Sequence, residues 1–212
     1  DLDYKISPNF GLDVPMEQIS KGNGGSCVLS AYSSSVINLS SHFTTSLGIT
    51  AQYFPLNKNW TVEPRAALKW SFNPKHALAL AYGLHSRREK LDYYFVEQEA
   101  NGKTESNRYL DFSKAHHFGL TYDWNINSYM HLKVEPYYQY LFRIPVEENS
   151  SFSIINHQSF YLDRILKNRG SGVNYGIDIT LEQYMKNGFY YMITASLFKS
   201  KYKAGDNIWR NT

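Results

Sequence analysis

Cysteine is almost absent from this chain of 212 residues, and that scarcity removes several chemistries at once. Cys27 stands alone, so no intrachain disulfide staples the fold, and neither a cysteine zinc cluster nor a Cys-x-x-Cys redox centre can form. Long apolar runs are missing too: no stretch reaches the ~18 consecutive apolar residues that a spanning helix needs. The opening Asp1-Leu2-Asp3-Tyr4 has neither the basic nor the apolar region of a signal peptide, so the expectation for an exported protein is a mature piece. Charge of one sign is not in excess either. The 22 basic and 19 acidic residues are mixed along the chain without a basic stripe, and nucleic acid is not expected as a partner. No Gly-x-Ser-x-Gly elbow or phosphate-binding loop occurs. Gly22-Asn23-Gly24-Gly25 follows no strand pattern and opens no helix, so it is read as a loop.

Aromatic residues, by contrast, make up 16% of the chain, with 18 Tyr and 12 Phe in an otherwise polar composition. Strands with one wet and one greasy face give that combination, because alternate residues serve opposite solvents. Period-two alternation is clearest from Trp60 to Phe72, where Trp60, Val62, Ala66, Leu68, Trp70 and Phe72 alternate with Thr61, Glu63, Arg65, Lys69 and Ser71. It recurs from Met130 to Phe142 and from Val173 to Glu182. Extended along the chain, the pattern predicts an all-β antiparallel meander of about eight strands, at about 28–37, 43–54, 60–72, 76–90, 115–125, 129–144, 172–184 and 189–200. The connections alternate in character. Asn38 to His42, Asn73 to Lys75, Asn125 to Ser128 and Met185 to Gly188 are short and turn-like. About Leu91 to Lys114 and about Pro145 to Ser171 are long and polar, and the segments before the first strand and after the last also read as loop. On the long-loop side only Pro55 to Asn59 is short.

That parity, with all tight turns on one side, is the asymmetry of a transmembrane barrel with short periplasmic turns and long outer loops. Several strands also reach the about 9–11 residues needed to cross a bilayer at a tilt. Aromatics gather toward strand ends, where an interfacial girdle places them. Pro64 and Pro136, both after Val-Glu, cannot donate to a central ladder and are expected at strand ends or bulges.

Specific residues sharpen this reading. Val62-Glu63-Pro64-Arg65 running into a strand, Asn73-Pro74, Tyr82-Gly83-Leu84-His85-Ser86, Gly172-Val173-Asn174-Tyr175-Gly176-Ile177-Asp178, Ser200-Lys201-Tyr202 and Trp209-Arg210-Asn211-Thr212 together resemble the C-terminal barrel of TonB-dependent receptors. The resemblance covers about 28–212. It implies a fragment of a larger barrel, about 22 strands in such receptors, set in the bacterial outer membrane and importing a siderophore, a glycan or a similar nutrient. It also implies two partners besides the small-molecule or oligomeric nutrient: the lipid bilayer and the plug domain of the full-length receptor. No plug, no TonB box and no terminal aromatic strand is recognisable, and residues 1–27 are read as an outer loop segment ahead of a barrel fragment at 28–212. A small complete outer-membrane barrel, which requires closure between first and last strands, is one alternative. A soluble lipocalin-like barrel with greasy residues such as Val62, Leu68 and Val134 inside the cup is another.

Candidate site residues follow from the strand faces. Glu63, Arg65, Lys69, His85, Arg87, Lys133, Glu135, Asp178 and Glu182 fall on polar faces and are read as lumen wall, where charges of mixed sign line water. Paired carboxylates also serve as general acid and base, but no nucleophile and base arrangement accompanies them, so catalysis is not expected. Neither a metal nor a cofactor is expected. His116 and His117 are adjacent, point to opposite faces of a strand, and are read as strand-end residues near the outer interface. In the loops, Tyr93, Tyr94, Arg108, Tyr109, Phe160, Tyr161, Arg164 and Arg169 either contact a ligand or fold the loops over the barrel. Asp163 and Lys167 are spaced for a short helical turn.

Overall fold

The computed structural model describes residues 2–6, 20–100, 102–157 and 161–212, the first two strands by backbone alone. Phe160 lies outside the described residues. Strands β1 (Leu2–Ile6) and β2 (Ser20–Gly24) pair antiparallel with each other. Gly22 to Gly24, read as loop, therefore belong to a strand. The main sheet contains β3 (Leu29–Asn38), β4 (Phe43–Phe54), β5 (Asn59–Asn73), β6 (His76–Arg87), β9 (Ser113–Asn127), β10 (Met130–Val146), β11 (Lys167–Lys186), β12 (Phe189–Lys203) and β13 (Trp209–Asn211). The small hairpin β7 (Glu97–Ala100) and β8 (Lys103–Ser106) stands between β6 and β9.

Neighbours in the main sheet are neighbours in sequence, in the order β13-β12-β11-β10-β9-β6-β5-β4-β3, every pair antiparallel. The eight expected strands are all present. A ninth, β13, takes three residues of what was read as terminal loop, and pairs Trp209 with Lys203 and Asn211 with Lys201. The edges of the sheet are β3 and β13, and among the described residues they do not pair with each other. Closure into a small complete barrel, the first alternative, is thus not made.

Turn chemistry sets the shape of one end. At the β11–β12 turn, Asn187 and Gly188 both have positive φ, 52° and 81°, the backbone that an Asn-Gly hairpin supplies. The other tight connections, 39–42, 74–75 and 128–129, fall at the same end of the sheet. The longer ones, 88–112 and 147–166, fall at the opposite end with 55–58 and 204–208. Both prolines sit where one ladder lapses. Pairing of β5 with β6 begins only at Arg65, while Pro64 still faces Ile49 of β4. At Pro136 the pairing with β9 stops for two residues and resumes in unchanged register at Tyr137.

The register divides the residues between two faces. Lys69, Ala79, Thr121, Glu135 and Asp178 share one face with Gly48, Ala67, Ala81, Gly83 and Gly119. Leu47, Leu68, Leu80, Leu120, Val134, Ile177, Ile193 and Leu197 share the other. This apolar face is open: Leu80, Ile193 and Leu197 are all exposed, Leu197 by 72%. Along it run two aromatic belts. Phe43, Trp70, Phe72, His76 and Trp124 follow one another ring to ring near the tight turns, at centroid separations of 5.1–5.8 Å. Near the long loops, Phe118, Tyr82, His116, Phe142 and Tyr140 do the same at 4.9–6.1 Å. Eight residues separate Trp124 from His116, which at a strand rise of about 3.3 Å and a tilt near 40° is on the order of 20 Å of height. Such spacing matches the interfacial girdles of a membrane barrel, whose apolar band is about 25 Å tall.

The main buried apolar cluster lies at the long-loop end of the sheet. Phe54, Tyr93, Tyr94, Val96, Leu110, Phe112, Ile144, Ile154, Leu162 and Leu166 form one buried cluster in which the two long loops and the strand ends meet. The spacing of Asp163 and Lys167 does not produce a helical turn. That stretch is extended or bent, Lys167 pairs instead with Glu148, and Asp163 accepts from the Gln98 side chain through its backbone oxygen.

Candidate functional site

Loops of this length would ordinarily stay in water, because their backbone groups need partners. Here three side chains supply those partners across the loops. Asn107, 1% exposed, donates through Nδ2 to the Arg164 carbonyl (2.8 Å) and accepts through Oδ1 from the Leu166 amide (2.7 Å). Asn168 accepts from the Asp111 amide and donates to the carbonyls of Asp111 and Arg143. Buried Glu89 accepts from the Ser113 hydroxyl at 2.6 Å, and its amide donates to the Tyr94 hydroxyl at 3.3 Å. Bound in this way, loops 88–112 and 147–166 form a cap.

The cap lies over the polar face. Between them is a cavity of 990 Å³ lined by His85, Arg87, Ala115, His117 and Leu141 from the strands, and by Arg88, Glu89, Lys90, Tyr93, Ile154 and His157 from the loops. Lys114 also lines it. Three permanent cations, Arg87, Arg88 and Lys90, line it beside one carboxylate, whereas Lys114 has the outward parity of His116, and Glu89 is already engaged by Ser113 and by Arg87 at 3.6 Å. Tyr93 and Tyr94 have their hydroxyls pushed up by burial, Tyr94 to about 12, so both stay neutral and leave the positive charge of the cavity undiminished. A second cavity, 500 Å³, continues down the wall past the shared His85 and His117 to a floor of Gly48, Ala67, Ala81, Gly83 and Gly119. Polar donors above and small residues below thus line one continuous stretch of the polar face.

The residues expected as lumen wall share the polar face. Glu63, 2% exposed, accepts from Gln52, Arg65 and the Ser86 amide at 2.8, 3.0 and 3.1 Å. It spans the gap that opens between β5 and β6 beyond Pro64. Lys133 pairs with Glu135 at 2.7 Å, and Asp178 and Glu182 stand opposite Glu135 and His131. Lys69 lines a third cavity near the tight turns with Asp123 and His131. His117 faces inward against His85, ring centroids 4.4 Å apart, whereas His116 faces outward on Tyr82 and Phe142. The two adjacent histidines thus point to opposite faces.

The expected ligand residues divide. Tyr93 and Tyr94 belong to the cap core, and Tyr93 also lines the large cavity. Arg164 pairs with Glu147 at 2.7 Å and lies 4.8 Å over the Phe152 ring, and Arg169 pairs with Glu148. The Tyr161 carbonyl accepts from His157. Arg108 and Tyr109 are exposed, Tyr109 by 78%. Missed in the sequence were Arg88, Lys90, Lys114 and His157. The run Arg87-Arg88-Glu89-Lys90 at a predicted strand end was the signal available for the first two.

Comparison with solved structures places this architecture. The ferric-catecholate import receptor Fiu of E. coli K12 superposes with a TM-score of 0.65 at 10% identity, over 91% of this chain and 30% of that one. The FrpB iron transporter of Neisseria meningitidis does so in its F3-3 variant with a TM-score of 0.54, at 12% identity over 83% and 25%. The apoprotein of the F5-1 variant gives 0.52 over the same shares. The sheet has the fold of a receptor-barrel segment. This segment spans about a third or less of the receptors it matches, as the motifs resembling a TonB-dependent receptor barrel fragment implied. No protein-family model and no curated protein matches the sequence. At 10–12% identity the likeness establishes the receptor-barrel fold and leaves the ligand to the chemistry of the cap.

Proposed function

We propose that the chain supplies barrel wall and extracellular loops to an outer-membrane receptor that imports a nutrient, TonB-dependent and plugged in its complete form. Residues 1–27 are in this reading an outer loop, since β3 starts at the long-loop end. One observation carries the proposal: the long loops fold over the polar face of the sheet and leave the apolar face bare. A lipocalin-like cup requires the reverse, with Val62, Leu68 and Val134 covered. An importer requires this arrangement, in which lipid meets the greasy face and a ligand enters under the loops. The cations lining the cavity support an anionic nutrient, and the ferric-catecholate receptor among the structural neighbours supports an iron chelate of that charge. Arg87, Arg88 and Lys90 provide attraction, while Arg108, Tyr109, Tyr161, Arg164 and Arg169 frame the loops through which it passes.

The test is a titration of the intact protein in non-ionic detergent with a synthetic anionic ferric tris-catecholate and with an uncharged ferric tris-hydroxamate, followed by fluorescence quenching. The anionic chelate binds, and R87S/R88S weakens it about tenfold or more, one order of magnitude being roughly 1.4 kcal/mol. Equal binding of the two chelates, or an unchanged affinity in the double variant, overturns the anionic assignment.

A further inference from the structure

The outward face of β12 changes character along its length. Its residues, taken every second position from the tight turn, are Tyr191, Ile193, Ala195, Leu197, and then Lys199, Lys201 and Lys203. The inward set is fixed by contacts. The Ser200 hydroxyl donates to Asn174, and Phe198 and Ser200 line a cavity with Tyr137 and Asp178. The register with β11 runs without a shift from Glu182–Met192 to Ser171–Lys203, so alternation holds to the last lysine. Three lysines therefore project from the apolar face at the long-loop end.

Height gives them a location. At a rise of about 3.3 Å and a tilt near 40°, Lys199 stands about 20 Å and Lys203 about 30 Å above Tyr191. An apolar band about 25 Å tall ends between them. Ammonium groups at that level reach the headgroups by extending their stems. They also lack protein counter-charges: among the described residues no carboxylate forms an ion pair with Lys199, Lys201 or Lys203. The carboxylates of this rim are taken by other cations, Glu147 by Arg164, Glu148 by Lys167 and Arg169, and Asp206 by Arg210. Among the described residues Lys203 has an aromatic neighbour: the Trp209 ring centre is 6.0 Å from its ammonium. Three cations in a row about 13 Å long, without a carboxylate partner among the described residues, bounded below by hydrocarbon and flanked at the top by an indole, complement an amphiphile carrying more than one phosphate.

We propose that Lys199, Lys201 and Lys203 form a docking site on the outer wall for a phosphate-bearing lipid of the outer leaflet. The acyl chains lie on Ile193, Ala195 and Leu197, and the phosphates lie on the lysines. The site faces away from the ligand chamber, and its assignment rests on the membrane reading of the apolar face given above.

Native mass spectrometry of the intact protein in non-ionic detergent tests it, with bisphosphorylated lipid A and phosphatidylethanolamine as probes and inorganic phosphate as competitor. The protein retains lipid A in preference to phosphatidylethanolamine, millimolar phosphate leaves it bound, and K199S/K201S/K203S lowers its affinity by about fivefold per lysine removed. Retention of both lipids alike, full displacement by inorganic phosphate, or unchanged lipid A binding in the triple variant overturns the site while the membrane reading stands. A protein that folds in plain buffer and takes up no lipid overturns both. Should the triple variant lose its heat-modifiable mobility, K199R/K201R/K203R keeps charge and must keep the lipid. Wild-type affinity must also fall with added salt, and a flat salt response overturns the site.

Discussion

Asn107 is one of the three side chains that tie the cap together, and it reaches furthest along the chain. Asn107 bonds to residues 57 and 59 positions away, and both its partners are backbone groups with little other recourse. Asn107→Ala removes the partners of the Arg164 carbonyl and the Leu166 amide, at roughly 1–3 kcal/mol for the buried amide. The expected result is faster proteolysis within 147–166, with the heat-modifiable mobility of the barrel unchanged, and equal cleavage of the two proteins would remove the clamp role. Tyr94 adds a pH dependence of definite sign. Its folded pKa is raised by burial to about 12 from the usual 10, so the folded state holds the phenolic proton where the unfolded chain releases it. The stabilisation is complete below pH 10 and is lost as pH rises toward 12, amounting to roughly 2–3 kcal/mol. Hydrogen exchange of the cap amides should therefore accelerate between pH 10 and 12 beyond the intrinsic rate. Tyr94→Phe removes that excess; if the excess persists, the titration belongs elsewhere.

Between elements one tight joint is at Gly176. A β-carbon there would stand 2.6 Å from the Leu197 carbonyl oxygen, 2.8 Å from the Phe198 β-carbon and 2.9 Å from the Tyr137 hydroxyl. The hydroxyl ends a movable side chain, but the carbonyl is ladder backbone. Gly176→Ala must therefore push β12 away from β11, at about 1–3 kcal/mol, and should lower the temperature of the mobility shift on unheated gels. Gly119→Ala, with nothing within 4 Å of its added carbon, should leave that temperature unchanged. Equal shifts in the two variants would rule out crowding as the cause. Strands such as β11 were legible because the pleat marks every second residue, and expected and observed boundaries differ by a few residues only. Trp209–Asn211 was not legible, since three residues carry no period. Nor was the cap: Asn107, Asn168 and Glu89 act through partners dozens of positions away or through buried backbone groups, and neither leaves a local pattern. The spacing of Asp163 and Lys167 misled for the converse reason, because Glu148 offers Lys167 a partner from the neighbouring strand end.

Across the whole molecule, polarity is inverted relative to a water-soluble domain. The buried apolar cluster is small and peripheral, whereas the broad face carrying Leu68, Leu80, Ile179, Ile193 and Leu197 is bare. An exposed apolar area larger than a few hundred Å² marks a surface meant for a partner, and the two aromatic belts that bound this one identify the partner as a bilayer. The polar face was legible in the sequence as charges of mixed sign, Glu63 to Glu182. The cationic chamber was only half legible, because His157 reaches it from a separate segment. Solvent decides between the readings of the sheet. Circular dichroism with and without micelles, paired with gel mobility before and after heating, should show ordered sheet only in micelles. An ordered monomer in plain buffer would mean that the greasy face is covered in solution. The outward row from Tyr191 to Leu197 would then be an interior, and both the importer and the lipid site on Lys199, Lys201 and Lys203 would have to be given up.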